Sequence, residues 1–203
     1  MSFFITGIGT EIGKTIASAI LVQALKWDYW KPIQSGDLDH SDSHKVKQLI
    51  NTDNHFFEES YRLKTPLSPH ASAKIDNIEI DLEKIKLPKK DKLIIEGAGG
   101  LLVPLNQKET IIDLIKKLKT EVIVVSRHYL GSINHTLLTI DCLRRNQIPI
   151  KGIIFNGAEN KDTESIILST TKVRFLGRIE PMKEVNAQSI LQASLEFKHL
   201  ANE

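Results

Sequence analysis

The chain is poor in cysteine and aromatics and has no long apolar run. Cys142 is the one cysteine among 203 residues, so no disulfide can close within the chain. That suits a reducing compartment. No stretch approaches the roughly 18 apolar residues that span a bilayer. The apolar start Met1-Ser2-Phe3-Phe4-Ile5 is too short for a signal segment and has no basic leader. We therefore expect a cytoplasmic protein without a membrane partner. Charge of one sign is scarce too: 27 Lys and Arg against 25 Asp and Glu leave a formal +2. Such a balance offers no support for a large nucleic-acid footprint, so no nucleic-acid partner is expected. No Cys/His cluster has zinc spacing. What remains is an ordinary globular composition, 41% apolar and 26% charged. The length fits a single domain, residues 1–203, with a substantial core.

Apolar patterning alternates strand and helix. Strands are expected over 3–6, 29–32, 92–95, 122–126, 150–155 and near 174–176. Helices are expected over 14–26, 41–50, 110–118, 132–146, 161–171 and 186–200. The tract 51–92 reads as irregular and polar, broken by Pro66, Pro69 and Pro88, with short helices near Ser72 and Leu82. The run 122–126 is continuously apolar, as in strands buried on both faces of a parallel sheet. The fold class is therefore α/β: a mostly parallel sheet flanked by helices, joined by right-handed crossovers. Ligands in such sheets bind beyond the carboxyl ends of the strands.

One segment after the first strand carries phosphate chemistry. Gly7-Ile8-Gly9-Thr10-Glu11-Ile12-Gly13-Lys14-Thr15 closes a strand and opens a helix. Gly13 permits close backbone approach, and free N–H groups at a helix start favour anionic oxygens. Lys14 suits β- and γ-phosphates, and the Thr15 hydroxyl suits magnesium. The spacing departs from G-x4-G-K-[ST], because position 8 is isoleucine and five residues separate Gly7 from Gly13. A dinucleotide G-x-G-x-x-G also fails at Ile12. The fold class is thus P-loop NTPase-like, with the incidental Gly-rich turn as the bland alternative.

Other candidates follow strands. Lys31, ahead of Pro32-Ile33-Gln34-Ser35-Gly36, suits neutralisation of a transferring phosphoryl group; its alternative is a solvated strand-end lysine. Glu96 ends a strand before Gly97-Ala98-Gly99-Gly100, the place of a magnesium-holding acid or of a plain turn residue. Asp42 has helix capping as its alternative. The segment Leu130-Gly131-Ser132-Ile133-Asn134 opens a helix whose N–H groups can hold a carboxylate, unless Ser132 is simply a cap. His70 and His135 read as ordinary hydrogen-bonded histidines, and Cys142 as a small core residue.

Taken together these pieces resemble the dethiobiotin synthetases. The resemblance rests on Thr6-Gly7, Thr10-Glu11, Gly13-Lys14-Thr15, Lys31-Pro32 with Ser35-Gly36, Ser41-Asp42 and Ser68-Pro69-His70. It continues through Glu96-Gly97-Ala98-Gly99-Gly100, Pro104-Leu105, Leu130-Gly131 with Ile133-Asn134-His135, and Leu176-Gly177. The resemblance implies an ATP-dependent cyclo-ligase that uses CO2 and ATP to convert 7,8-diaminopelargonate to dethiobiotin through a carbamate and a carbamoyl-phosphate mixed anhydride. It implies Lys14 and Lys31 as catalytic. Ser35 would contact substrate, as would Leu130, Gly131, Ser132, Ile133 and Asn134 across a homodimer interface. Glu11, Ile12, Gly13, Lys14, Thr15, Ile16, Asp42, Glu96, Gly97, Ala98, Gly99 and Asn156 would serve the nucleotide site, with Thr15, Asp42 and Glu96 holding Mg2+. The family pattern has Asn-Asp where this chain has Asn156-Gly157. The competing class is a partition or switch ATPase acting through a protein partner. Such proteins usually carry a further lysine early in the loop, where this chain has Ile8.

Overall fold

The structure is a computed structural model that describes residues 1–202. Nine strands and seven α-helices occur in it, in the following order. Strand β1 is Ser2–Gly7, followed by helix α1, Lys14–Leu25. Strands β2 (Asp28–Trp30) and β3 (Ile33–Ser35) precede α2 (Asp42–Leu49). Strands β4 (Phe56–Phe57) and β5 (Tyr61–Leu63) lead to α3 (Pro69–Ile75) and then to β6 (Leu93–Glu96). The remainder is α4 (Ile111–Leu118), β7 (Glu121–Arg127), α5 (Ser132–Arg145), β8 (Ile150–Asn156), α6 (Lys161–Thr171), β9 (Phe175–Ile179) and α7 (Ala187–Ser194).

Seven strands form one sheet in the order β4-β2-β6-β1-β7-β8-β9, and every pairing in it is parallel. Parallel strands covered by helices on both faces must be apolar throughout. Phe3, Phe4 and Ile5 of β1, Leu93 to Ile95 of β6 and Val122 to Val125 of β7 are accordingly all buried. Each such side chain contributes roughly 1.5–3 kcal/mol on leaving water. Helix α1 is buried nearly all round, from Ala17 through Val22, because it packs between the sheet and α2 and α7. The expected α/β class and parallel sheet are thus borne out.

The structure differs from the sequence reading in several places. Within the tract read as irregular, β5 pairs with β3, which precedes that tract, in a separate two-stranded parallel sheet, and β4 extends the main sheet at its edge. These strands have two or three residues each, too short for an alternation to declare itself. The helix expected over 186–200 is α-helical only to Ser194 and tightens into a 3-10 turn over Leu195–Asn202. The strand expected near 174–176 is longer, reaching Ile179. Ser41, rather than Asp42, caps α2: its hydroxyl accepts from the His44 backbone N–H at 3.4 Å. Asp42 is thereby released for another role. Thr110 does cap α4, in a reciprocal box with Asp113. No helix among the described residues is long and apolar enough to cross a membrane.

Candidate active site

The loop between β1 and α1 is shaped by what lies beneath it. Gly13 takes a left-handed φ of 94°, and a Cβ there would stand 2.2 Å from Asn156 Nδ2. Only glycine accepts both constraints. Gly7 is equally crowded, since a Cβ would meet Ile12 Cδ1 at 2.1 Å. Ile12 points down into the core and offers the loop only its backbone. Two side chains fasten the loop to neighbouring strands. Asn156, at the end of β8, donates its amide to the Ile12 carbonyl at 2.8 Å. Arg127, at the end of β7, donates to the Glu11 carbonyl at 3.3 Å. Lys14 folds inward and donates to the Gly9 carbonyl at 3.0 Å. Burial lowers its pKa to about 8, with Glu96 partly opposing.

Beside the loop stands a buried charge cluster. Side chains alternate along extended chain, so Tyr29 of β2 and Lys31, the residue just past its end, project to one face. Both reach Glu96 at the end of the adjacent β6. The Tyr29 hydroxyl donates to Glu96 Oε2 at 2.9 Å, and Lys31 Nζ donates to Oε1 at 3.3 Å. The Thr15 hydroxyl donates to the same Oε1 at 2.9 Å. Lys31 also pairs with Asp42 Oδ2 at 2.9 Å. Burial works against the Lys31 charge, but Glu96 and Asp42 outweigh it and hold its pKa above the ordinary lysine value. For Asp42 burial pulls the other way as well, yet Lys31 holds its carboxyl below the usual range. Burial, reinforced by Glu96, pushes the Tyr29 phenol well upward, so it remains a donor.

Lys14, Thr15, Lys31, Asp42 and Glu96 line one cavity of about 790 Å³, which also includes Glu11, Ser35, Lys45, Gly97, Ala98 and Gly99, while Tyr29 lies buried behind it. Ser35 Oγ is buried in its wall with no hydrogen-bond partner in the structure. Two lysines, a ring of loop N–H groups and an unpaired hydroxyl suit a polyanion with a polar acyl group next to it. Glu96, Asp42 and Thr15 present only oxygen. Among the described residues no cluster of three His, Cys, Asp or Glu could hold a metal by itself. One or two carboxylates with a hydroxyl is the donor set that magnesium accepts when phosphates and water complete its octahedron.

Most expected site residues therefore converge. Ile12, Ile16 and Asn156 do not line the cavity, and neither do Leu130, Gly131, Ser132, Ile133 and Asn134. Leu130 is fully exposed and Gly131, with φ 102°, is the N-cap of α5. Ser132 is buried and makes no cap hydrogen bond, so the capping alternative is set aside. His70 and His135 keep ordinary partners, Ser68 Oγ at 3.1 Å and Tyr129 OH at 2.7 Å. Cys142 is only partly buried and lines a second, more apolar cavity of about 420 Å³ on the other side of the loop. Sequence reasoning missed Tyr29, Lys45 and Asp37. Lys45 Nζ lies 3.7 Å from Asp42 Oδ1 and 3.9 Å from Asp37 Oδ2. Its i,i+3 spacing from Asp42 is a signal that could have found it.

Residues 1–189 match a family model described as an AAA domain. An ATP-dependent dethiobiotin synthetase of Christiangramia forsetii is 60% identical over 181 residues, spanning 88% of this chain and 87% of that one. The chain belongs to the dethiobiotin synthetase family. A second synthetase, from Cytophaga hutchinsonii, is 47% identical over 191 residues, covering 93% of this chain and 92% of its own. The family is one of ATP-dependent ligases, so the synthetase fold here serves an enzyme. Solved structures show the same sheet in more distant proteins. A ParA family ATPase from Chlorobium tepidum aligns with TM-score 0.57 at 16% identity, over 100% of this chain and 93% of that one. The MinC:MinD cell division complex of Aquifex aeolicus aligns with TM-score 0.61 at 13% identity, over 100% and 96%. At such identity the likeness is one of fold, and it does not favour the partition-ATPase alternative over a synthetase.

Proposed function

We propose that this cavity closes the ureido ring of dethiobiotin from 7,8-diaminopelargonate, CO2 and ATP. One amine adds to CO2 and loses a proton, giving a carbamate. A carbamate oxygen then takes the γ-phosphoryl group of ATP, with ADP leaving. The neighbouring amine attacks the carbonyl of the mixed anhydride, the C–O bond to phosphate breaks, and a proton and inorganic phosphate depart. The intermediate is needed because a carbamate is a poor acyl donor until its oxygen leaves as phosphate. Holding the three reactants in line can supply roughly 7–11 kcal/mol.

The single observation that carries this reading is the pairing of Lys31 with Asp42 and Glu96 beside the phosphate loop. A generic phosphate loop has no use for a second buried lysine there. Lys31 would hold the carbamate and the transferring phosphoryl group, and Lys14 the β- and γ-phosphates. The unpartnered Ser35 hydroxyl would bond the reacting end of the substrate. The backbone from Glu11 to Ile16 and from Gly97 to Gly99 would line the phosphates, and the Asn156 amide the purine edge. Thr15, Asp42 and Glu96 would hold magnesium, which supplies neutralising charge for the phosphoryl oxygens. In a cytoplasmic homodimer, residues 130–134 of a second copy would receive the carboxylate tail, consistent with the exposure of Leu130, Gly131, Ile133 and Asn134 outside the cavity. The test is direct: the protein, ATP, magnesium, bicarbonate and diaminopelargonate are mixed, and dethiobiotin is sought by mass spectrometry. ATP hydrolysis that needs a protein partner and yields no such product would overturn the proposal.

A further inference from the structure

We infer that Tyr29 is a positioning residue that restricts Glu96 to a single working oxygen. The inference rests on the proposed role of Glu96 as a magnesium holder. Glu96 is 1% exposed and its carboxylate accepts from three side-chain donors. Its two oxygens are used differently. Oε2 is taken by the Tyr29 hydroxyl, itself wholly buried, at 2.9 Å. Oε1 is left to the groups that change partners during a reaction, Thr15 Oγ1 at 2.9 Å and Lys31 Nζ at 3.3 Å.

The geometry gives Tyr29 no freedom to do otherwise. Its ring is clamped against Phe56, with centroids 5.3 Å apart, and its backbone is fixed in register with Ile94 of β6. A carboxylate held at one oxygen by a rigid donor cannot rotate to chelate. It therefore cannot close both oxygens around Lys31, which would draw that lysine away from Asp42 and from substrate. It also meets a cation through Oε1 alone. Magnesium demands near-ideal octahedral geometry, which a single-oxygen ligand suits better than a chelating one. Outer partners that orient a ligand in this way typically carry 10–100-fold in metal affinity.

The experiment uses manganese as a spectroscopic stand-in, titrated into the full chain with ADP and followed by electron paramagnetic resonance, so no turnover is required. Tyr29→Phe keeps the ring and its packing and removes only the hydroxyl. It should weaken Mn2+ about 10-fold or more, while affinity for ADP without metal stays within about twofold. Glu96→Gln should weaken Mn2+ as well. The double variant should be no weaker than Glu96→Gln alone, because Tyr29 acts through the carboxylate. Unchanged Mn2+ affinity in Tyr29→Phe, with a clear loss in Glu96→Gln, overturns the role of Tyr29 and leaves that of Glu96 standing. Unchanged affinity in Glu96→Gln overturns Glu96 as a metal holder and the inference with it. If the Tyr29 variant does not fold, a crystal structure of the wild-type chain with magnesium and ADP decides. Glu96 bound through Oε1 with Oε2 still on Tyr29 supports the inference, and a chelating Glu96 released from Tyr29 refutes it.

Discussion

Lys31 and Asp42 form a buried ion pair, Nζ to Oδ2 at 2.9 Å, with Glu96 as the second carboxylate on the same ammonium. Lys31→Ala removes the cation and leaves two carboxylates facing one another. Dethiobiotin formation is expected to fall on the order of 10²-fold or more, as when a preorganised charge donor is lost. Lys31→Arg should not rescue it, since a planar fork replaces a point charge. Steady-state product formation measures both, and near-normal turnover in the alanine variant would exclude Lys31 from the chemistry. The pair also has a pH signature. Asp42 is held below its usual 3.8, so its contribution to stability is present above that value and is lost as pH falls through the lower folded value. Lys31 is held above its usual 10.5, so its contribution is present below 10.5 and is lost as pH rises through the higher folded value. The pair therefore stabilises the fold across the whole neutral range.

Lys14 has the opposite sign. Its folded pKa is about 8 against 10.5, mainly because it is buried. Between those values the unfolded chain holds a proton that the folded chain has released, so this group makes the ligand-free protein gain stability as pH rises through the window. A bound polyphosphate supplies the missing negative partner and should restore the proton. Nucleotide binding at pH 8–9 is thus expected to take up protons. Calorimetry in two buffers of different ionisation heat measures the uptake, and Lys14→Met should abolish it. Binding heats that do not depend on the buffer would contradict this account.

Gly13→Ala tests the floor of the phosphate loop. The new methyl group meets Asn156 Nδ2 at 2.2 Å, and the φ of 94° strains any residue with a Cβ. The backbone alone costs about 1–3 kcal/mol, and moving Asn156 also breaks its bond to Ile12. Nucleotide affinity should drop at least about 10-fold, by the 1.4 kcal/mol-per-decade rule. Adding Asn156→Ala removes the clash but not the strain, so the double variant should lose less than the two separate losses combined. Full additivity, measured by nucleotide titration, would show that the contact between the two positions carries no energy.

Three helices end on the same unfavourable choice. Lys26, Lys119 and Lys172 cap α1, α4 and α6 in the left-handed conformation, at φ 55°, 53° and 53°. A lysine there carries about 1 kcal/mol of strain that glycine does not. Each Lys→Gly replacement relieves that strain, partly offset by the greater freedom of glycine in the unfolded chain, so a modest net stabilisation is expected. All three lie at the opposite end of the sheet from the cavity, so turnover should be unchanged. Thermal unfolding checks the gain, and a lowered melting temperature in the triple variant would refute it.

The main sheet was legible because strands buried on both faces leave unbroken apolar runs, as at Val122 to Val125. The phosphate loop was legible because its residue types are forced by backbone approach and charge. The small β3–β5 sheet was not, since Gln34 and Arg62 break any apolar signature over three residues. Choosing between Ser41 and Asp42 as the cap was beyond the sequence, because adjacent cap formers differ only in which side chain folds back. Tyr29 was hidden for another reason. In sequence it is one more aromatic in a strand, and its hydroxyl gains meaning only when β6 is laid beside β2 and brings Glu96 within reach.

The anchoring of the phosphate loop by Asn156 and Arg127 has a kinetic consequence. A floppy loop must be ordered by its ligand, which costs roughly 1–2 kcal/mol of conformational entropy per residue at each encounter. Here the end of β8 and the end of β7 bond the turn directly, through Asn156 and Arg127. That ordering is completed once, during folding, rather than at every catalytic cycle. Nucleotide capture should therefore proceed as a single fast phase, with the rate of release governed by how tightly the phosphates are gripped.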